Sequence, residues 1–209
     1  AVGGQLLTIR GIYGIYEDIF LPLHGKHQSS NAATALAAVE VFAGESKLSQ
    51  EVVANAFANV TSPGRCEIIS REPTVIIDAA HNPHGAISLK EVLNSEFNFD
   101  KIIMIFAAMG DKDISGFLTE ISPIIDQVIL TRNSSPRCAE INQVSEIASG
   151  IFKDAQISTA PQLEEALQEA KLKALEMQDH GSVAILVTGS VATAGEIRSI
   201  VKRKGMTNR

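Results

Sequence analysis

From about residue 66 onward, short unbroken apolar runs alternate with stretches whose apolar positions recur every three or four residues. The runs are "CEIIS", "TVIID", "KIIMIFAA", "QVILT", "AQIST" and "SVAILVTG". Runs this short, rich in Ile and Val and bounded by turn residues, predict buried strands. Between most of them lie Ala86, Leu89 and Leu93; Ile114, Phe117, Leu118 and Ile121; Ile141, Val144, Ile147 and Ile151; and Leu163, Leu167, Ala170 and Ala174. That spacing predicts amphipathic helices. Apolar strands alternating with helices predict an α/β fold, with a mainly parallel sheet covered on both faces. Such folds place ligands beyond the carboxyl ends of their strands.

The first sixty residues read differently. Residues 4–22 alternate turn glycines with "QLLTIR" and "YGIYEDIFLPL", which predicts short strands joined by turns. "SSNAATALAAVEVFAG" predicts an Ala-rich helix with Ser29 or Ser30 as its cap and Gly44 as its stop. A second helix is expected to open at Ser49, with Val53, Ala56, Phe57 and Val60 on one face. Pro63 and Gly64 mark a turn and a domain boundary. The opening "AVGGQLLTIRG" reads as strand and turn from inside a domain, so a longer polypeptide is expected.

Composition narrows the function classes. A hydrophobic fraction of 45% against 20% charged residues suffices for a sizeable core. The net charge is −6, and the one basic cluster, Lys202, Arg203 and Lys204, follows a helical pattern, where it complements the helix dipole; nucleic acid is not an expected partner. No run approaches the roughly 18 apolar residues of a membrane span. Cys66 and Cys138 form no paired motif and suit a reducing, cytoplasmic setting.

The chemistry concentrates at one seam, "VIIDAAHNPHG". Asn82 suits the N-cap and Pro83 the first helical position. This sets Asp78 at a strand end and His81 just before a helix, where unpaired N–H groups favour an anionic ligand group. "ILVTGSVATAGEIRSI" repeats the design, with a helix starting at about Ser190 and burying Ala194, Ile197 and Val201. Asp78 and Ser190 are each equally readable as plain caps. "GDKD" at Gly110 to Asp113 also falls on the ligand edge, though its spacing alone favours a solvated turn. His81 with His84, and His24 with His27, lack the spacing and supporting ligands of a zinc site. Neither a Gly-rich dinucleotide fingerprint nor a phosphate loop ending in Gly-Lys-Ser/Thr occurs.

The ordered set "LPLHGKHQSSNAATALAA", "PGRCEIIS", "VIIDAAHNPHG", "GDKD" and "VTGSVATAGEIR" resembles the C-terminal half of folylpolyglutamate synthase, or of its bifunctional relative with dihydrofolate synthase activity, in the Mur ligase superfamily. The resemblance implies an ATP-dependent ligase joining L-glutamate to a folate or dihydropteroate carboxylate through an acyl phosphate. It implies that residues 1–61 end a central ATPase domain and that 62–209 form a Rossmann-like C-terminal domain closing over the nucleotide. Carried over residue by residue, Asn31, Arg65 and Asp78 match ATP contacts. His81 and Ser190 match positions for the incoming glutamate. His81 and Arg65 are the residues expected to act in catalysis. The phosphate loop and the Mg²⁺ ligands would precede Ala1, so this chain alone is expected to be inactive. The resemblance also implies a monomer at full length, with no nucleic-acid or membrane partner. The competing readings are a Mur-type ligase adding an amino acid to a peptidoglycan precursor, and a free-standing domain that binds a nucleotide or amino acid.

Overall fold

The computed structural model describes residues 3–177, 179 and 181–203, so Lys204 of the basic cluster lies outside the described residues. The chain divides into two compact units, 1–63 and 64–209. In the first unit β1 (Gln5–Arg10) and β2 (Ile15–Leu21) form an antiparallel hairpin, followed by α1 (Lys26–Phe42) and α2 (Gln50–Ala58). Ile9, Tyr16, Ile19 and Leu21 turn inward against Ala32, Leu36 and Val53 of the helices. On α2, Val53 is buried and Phe57 half-buried, whereas Ala56, expected on the same face, is exposed.

α1 starts earlier than the serines suggest. Its N-cap is Gly25, at φ 97°, and neither Ser29 nor Ser30 caps it. Ser29 Oγ instead donates to the Lys26 carbonyl (2.6 Å) within the first turn. A helical serine satisfied this way loses its value as a start signal. Asn31 therefore lies in the second turn of α1.

A fully buried carboxylate holds this unit together. Glu40 Oε1 accepts from Tyr16 Oη (2.6 Å), and Oε2 accepts from the Ile12 (2.6 Å) and Tyr13 (3.3 Å) amides in the hairpin turn. Tyr16 Oη in turn accepts from the Leu48 amide (2.9 Å) on the α1–α2 linker. A Cβ at Gly11 would stand 2.4 Å from Glu40 Oε2, so the turn closes over the carboxylate only because that residue is glycine. The Tyr16 hydrogen bond, reinforced by the two amides, holds the Glu40 carboxyl below its ordinary value. A carboxyl with a depressed folded-state pKa adds stability above its unfolded value of 4.5, and that stability is lost as pH falls through the folded value. Glu40→Gln is thus expected to melt earlier than the wild type at pH 7, with the gap narrowing as pH drops below about 4.5. Thermal melts of both chains across pH 7 to 3 check this; a gap independent of pH contradicts it.

The second unit is a six-stranded sheet in the order β3-β4-β8-β5-β6-β7. Its strands are β3 (Glu67–Arg71), β4 (Thr74–Ile77), β5 (Lys101–Phe106), β6 (Gln127–Leu130), β7 (Ile157–Thr159) and β8 (Val183–Thr188). β3 runs antiparallel to β4 and every other pairing is parallel. The helices are α3 (Pro83–Glu96), α4 (Ile114–Ile121), α5 (Ile141–Ser149), α6 (Leu163–Met177) and α7 (Val191–Arg203). Because successive strand residues face opposite sides, each apolar run feeds two cores. Ile76, Met104, Phe106, Val128, Leu130 and Leu186 pack against α3, α4 and α5. Val75, Ile77, Ile103, Ile105, Ile185 and Val187 pack against α6 and α7. This is the mainly parallel, doubly covered sheet expected from the sequence. Lys202 and Arg203 occupy the last turn of α7, where cations complement the helix dipole.

Candidate active site

β4 and β8 are parallel neighbours, and the helices that follow them leave toward opposite faces of the sheet. A crevice opens beyond the carboxyl ends of strands where this happens. The α3 and α7 starts meet there, since the Ala80 carbonyl accepts from the Gly189 amide (3.1 Å). Gly189 sits at φ 112°, and a Cβ on it would come within 2.6 Å of the Ala107 carbonyl at the end of β5. Only glycine permits that approach.

Asp78 follows β4 and is 7% exposed. Its Oδ1 accepts from the Ala80 amide (2.8 Å), and its Oδ2 accepts from the Cys66 amide (2.9 Å) and Cys66 Sγ (3.5 Å). The Ala79 amide donates to the Gly64 carbonyl (2.8 Å). These bonds join the turn before β3 to the turn after β4. Burial, and then the neighbouring Asp78 charge, push the Cys66 thiol well above its usual range, so Cys66 stays protonated and serves as a donor. Between the two anchored residues, Gly64 and Cys66, the Arg65 side chain is exposed and makes no hydrogen bond or ion pair among the described residues.

Asn82 caps α3 by accepting from the Gly85 amide (2.8 Å), and Pro83 opens the helix, as the sequence predicts. His81 Nδ1 lies 3.0 Å from the Ala79 carbonyl. A carbonyl only accepts, so Nδ1 carries the proton and Nε2 of the neutral ring keeps a free lone pair.

Ser190 lies just ahead of α7 and is 3% exposed. Its Oγ accepts from the Thr193 amide (3.0 Å), which is a helix cap, and from Asn133 Nδ2 (3.2 Å). Thr193 Oγ1 lies 2.7 Å from Ser190 Oγ and donates its own proton to the Ala107 carbonyl (2.7 Å), so the Ser190 proton goes to Thr193. Both lone pairs and the proton of Ser190 are thereby engaged.

In "GDKD", Asp113 caps α4 through the Gly116 amide (2.8 Å), and Asp111 pairs with Arg137 (2.9 Å) and Lys112 (3.2 Å). Those two cations, Lys112 first, hold the Asp111 carboxyl below its usual range. Asn31 belongs to the other unit. Its Nδ2 donates to Oε1 of the buried Gln28 (3.2 Å), which leaves Asn31 Oδ1 as an acceptor. Among the described residues, no three His, Cys, Asp or Glu side chains converge as a metal site would require.

Sequence reasoning passed over Asn133, Thr193 and Glu67. Asn133 carries no motif and meets Ser190 only through the tertiary fold, whereas Thr193 stands inside "VTGSVATAGEIR", three residues after Ser190, where its amide meets the capping hydroxyl. Glu67 stood in view in "PGRCE", two residues after the arginine.

Residues 64–191 match the family model described as Mur ligase, glutamate ligase domain. The chain is 41% identical to a dihydrofolate synthase/folylpolyglutamate synthase of Mycobacterium tuberculosis, over 97% of this chain and 44% of that protein. An Escherichia coli protein of the same description is 30% identical over 90% of the chain and 41% of its own length. Among solved structures, M. tuberculosis folylpolyglutamate synthase complexed with ADP and AMPPCP superposes with a TM-score of 0.92 at 42% identity, over 96% of this chain and 46% of that one. E. coli FolC in complex with DHPP and ADP gives 0.74 at 27% identity, over 92% and 42%. The chain thus spans somewhat under half the length of these relatives.

Proposed function

Because the chain belongs to the Mur ligase family through its glutamate ligase domain, we propose that it supplies part of an ATP-dependent ligase joining L-glutamate to the carboxylate of a folate or dihydropteroate. The observation that carries this reading is the junction of Arg65, Asp78, His81 and the α7 start at one edge of the sheet. The similarity to folate-ligating relatives over nearly the whole chain supports the choice of substrates. Residues up to about 61 are then the end of an ATPase domain, and Asn31 Oδ1 is the acceptor offered to the nucleotide. Two buried free thiols, Cys66 and Cys138, accord with a cytoplasmic setting.

The chemistry divides into two displacements. A folate carboxylate oxygen attacks the γ-phosphorus of ATP, the bond to the bridging oxygen breaks, and ADP leaves. Charge spreads over the transferring phosphoryl group, where the free Arg65 guanidinium neutralises and orients its oxygens. Asp78 holds the Arg65 turn and borders the nucleotide. The glutamate amine then attacks the acyl carbon, and the tetrahedral intermediate expels phosphate. His81 Nε2, with its lone pair exposed by the Nδ1 contact, accepts the proton that the amine loses. The starts of α3 and α7 receive glutamate carboxylates. Among the described residues, no three His, Cys, Asp or Glu side chains gather as a Mg²⁺ site.

Radiolabelled glutamate, ATP and a panel of acceptors test the reading in the complete polypeptide that carries this chain. Incorporation into dihydropteroate or folate monoglutamate is the expected outcome. Incorporation only into a nucleotide-linked muramoyl acceptor overturns the substrate assignment, and nucleotide binding with no ligation to any acceptor overturns the ligase reading.

A further inference from the structure

We infer that Glu67 is a positioning residue for Arg65 and that Arg198 holds it in that role. The inference rests on the assignment of Arg65 to the transferring phosphoryl group. Arg65 lies between two residues in the left-handed backbone region, Gly64 at φ 74° and Cys66 at φ 46°. Cys66 pays a steric penalty there, so the turn needs tertiary support. That support comes from three bonds: the Gly64 amide to Glu67 Oε2 (2.9 Å), the Cys66 amide to Asp78 Oδ2 (2.9 Å) and the Ala79 amide to the Gly64 carbonyl (2.8 Å).

Glu67 is the member of this set with a second task. A carboxylate two residues from Arg65 competes with a phosphate for the guanidinium. Its remaining oxygen, Oε1, instead lies 3.0 Å from Arg198 Nε on α7, an ion-pair distance at which the N–H is not aligned as a hydrogen bond. With Oε2 on the Gly64 amide and Oε1 beside Arg198, Glu67 shapes the turn without capturing Arg65. The device also ties the Arg65 turn to the helix whose start lies in the crevice.

In the complete ligase, Glu67→Ala is expected to lower kcat about 100-fold, as a misplaced catalytic group does, with a change of less than about threefold in KM for ATP. Glu67→Gln still offers Gly64 an amide oxygen and recovers part of the loss. Arg198→Met releases Glu67 toward Arg65 and lowers kcat in the same direction. A double-mutant cycle reads the coupling: in an Arg65→Ala background, Glu67→Ala is expected to add less than about twofold. If Glu67→Ala does not fold, the Arg198→Met cycle with Arg65→Ala reads the same coupling. Equal losses in both backgrounds overturn the inference, as does full activity in Glu67→Ala when Arg65→Ala is impaired. Full activity in Arg65→Ala itself is a different result, and removes the phosphate assignment on which the inference stands.

Discussion

Replacing Arg65 with Ala is expected to lower kcat of the complete ligase by about 1000-fold, the low end of what an arginine contributes to phosphoryl transfer. The loss should fall on turnover rather than folding. Arg65 is exposed and makes no hydrogen bond or ion pair among the described residues, so truncating it breaks no hydrogen bond or ion pair among them. The bonds that shape its turn come from the Gly64 and Cys66 backbone and survive the substitution. Arg65→Lys should restore only part of the rate, because an ammonium replaces the charge but not the planar fork. The decisive pair of measurements is single-turnover acyl phosphate formation and thermal melting on the same variants. Unchanged turnover would make Arg65 a turn residue and nothing more.

Asp78→Asn is expected to weaken nucleotide binding and destabilise the second unit together. From sequence alone Asp78 reads either as a cap or, through the resemblance, as a nucleotide contact. The structure shows its carboxylate engaged within the fold, with one oxygen on the Ala80 amide and the other on Cys66. An asparagine brings one acceptor where two are required, and its NH₂ would face a backbone N–H. Leaving a buried donor unpaired costs about 1–3 kcal/mol. Loosening the Cys66 amide also loosens the turn that carries Arg65, so the nucleotide dissociation constant should rise with the loss of stability. Calorimetric titration with an ATP analogue, alongside melts, separates the roles. A weaker dissociation constant at unchanged melting temperature would assign Asp78 to direct nucleotide contact, and an unaltered constant would remove it from the site.

The candidate site was partly legible because some of its devices are local. Asn82 and Pro83 announce a helix start by chemistry that acts within three residues, and the structure realises both. His81 is placed by the same seam. Ser190 was legible as a cap for the same reason, but its saturation was not. Asn133 and Ala107, which complete its hydrogen bonds, stand 57 residues before Ser190 and 86 before Thr193. The start of α1 was misread because Ser29 bonds back to a carbonyl inside the helix, a use of serine that sequence does not distinguish from capping. Glu40 falls on the buried side of an Ala-rich helix, where a carboxylate is costly unless paired. Its partners Tyr16, Ile12 and Tyr13 come from a hairpin 24 to 28 residues away.

What the sequence determined by itself is the alternation of strands and helices in residues 64–203, the covering of the sheet on both faces, and the placing of titratable groups at strand ends. Periodicity, capping and turn chemistry act over a few residues, and each run carries enough of them to specify its own element. Strand order is another matter. β8 inserts between β4 and β5, and β3 reverses beside β4, because of how whole apolar faces fit together. Only that arrangement makes neighbours of the α3 and α7 starts, sets Glu67 beside Arg198, and leaves the Arg65 guanidinium without a hydrogen-bond or ion-pair partner among the described residues. These are properties of residues separated by tens to more than a hundred positions, so no local pattern along the chain records them.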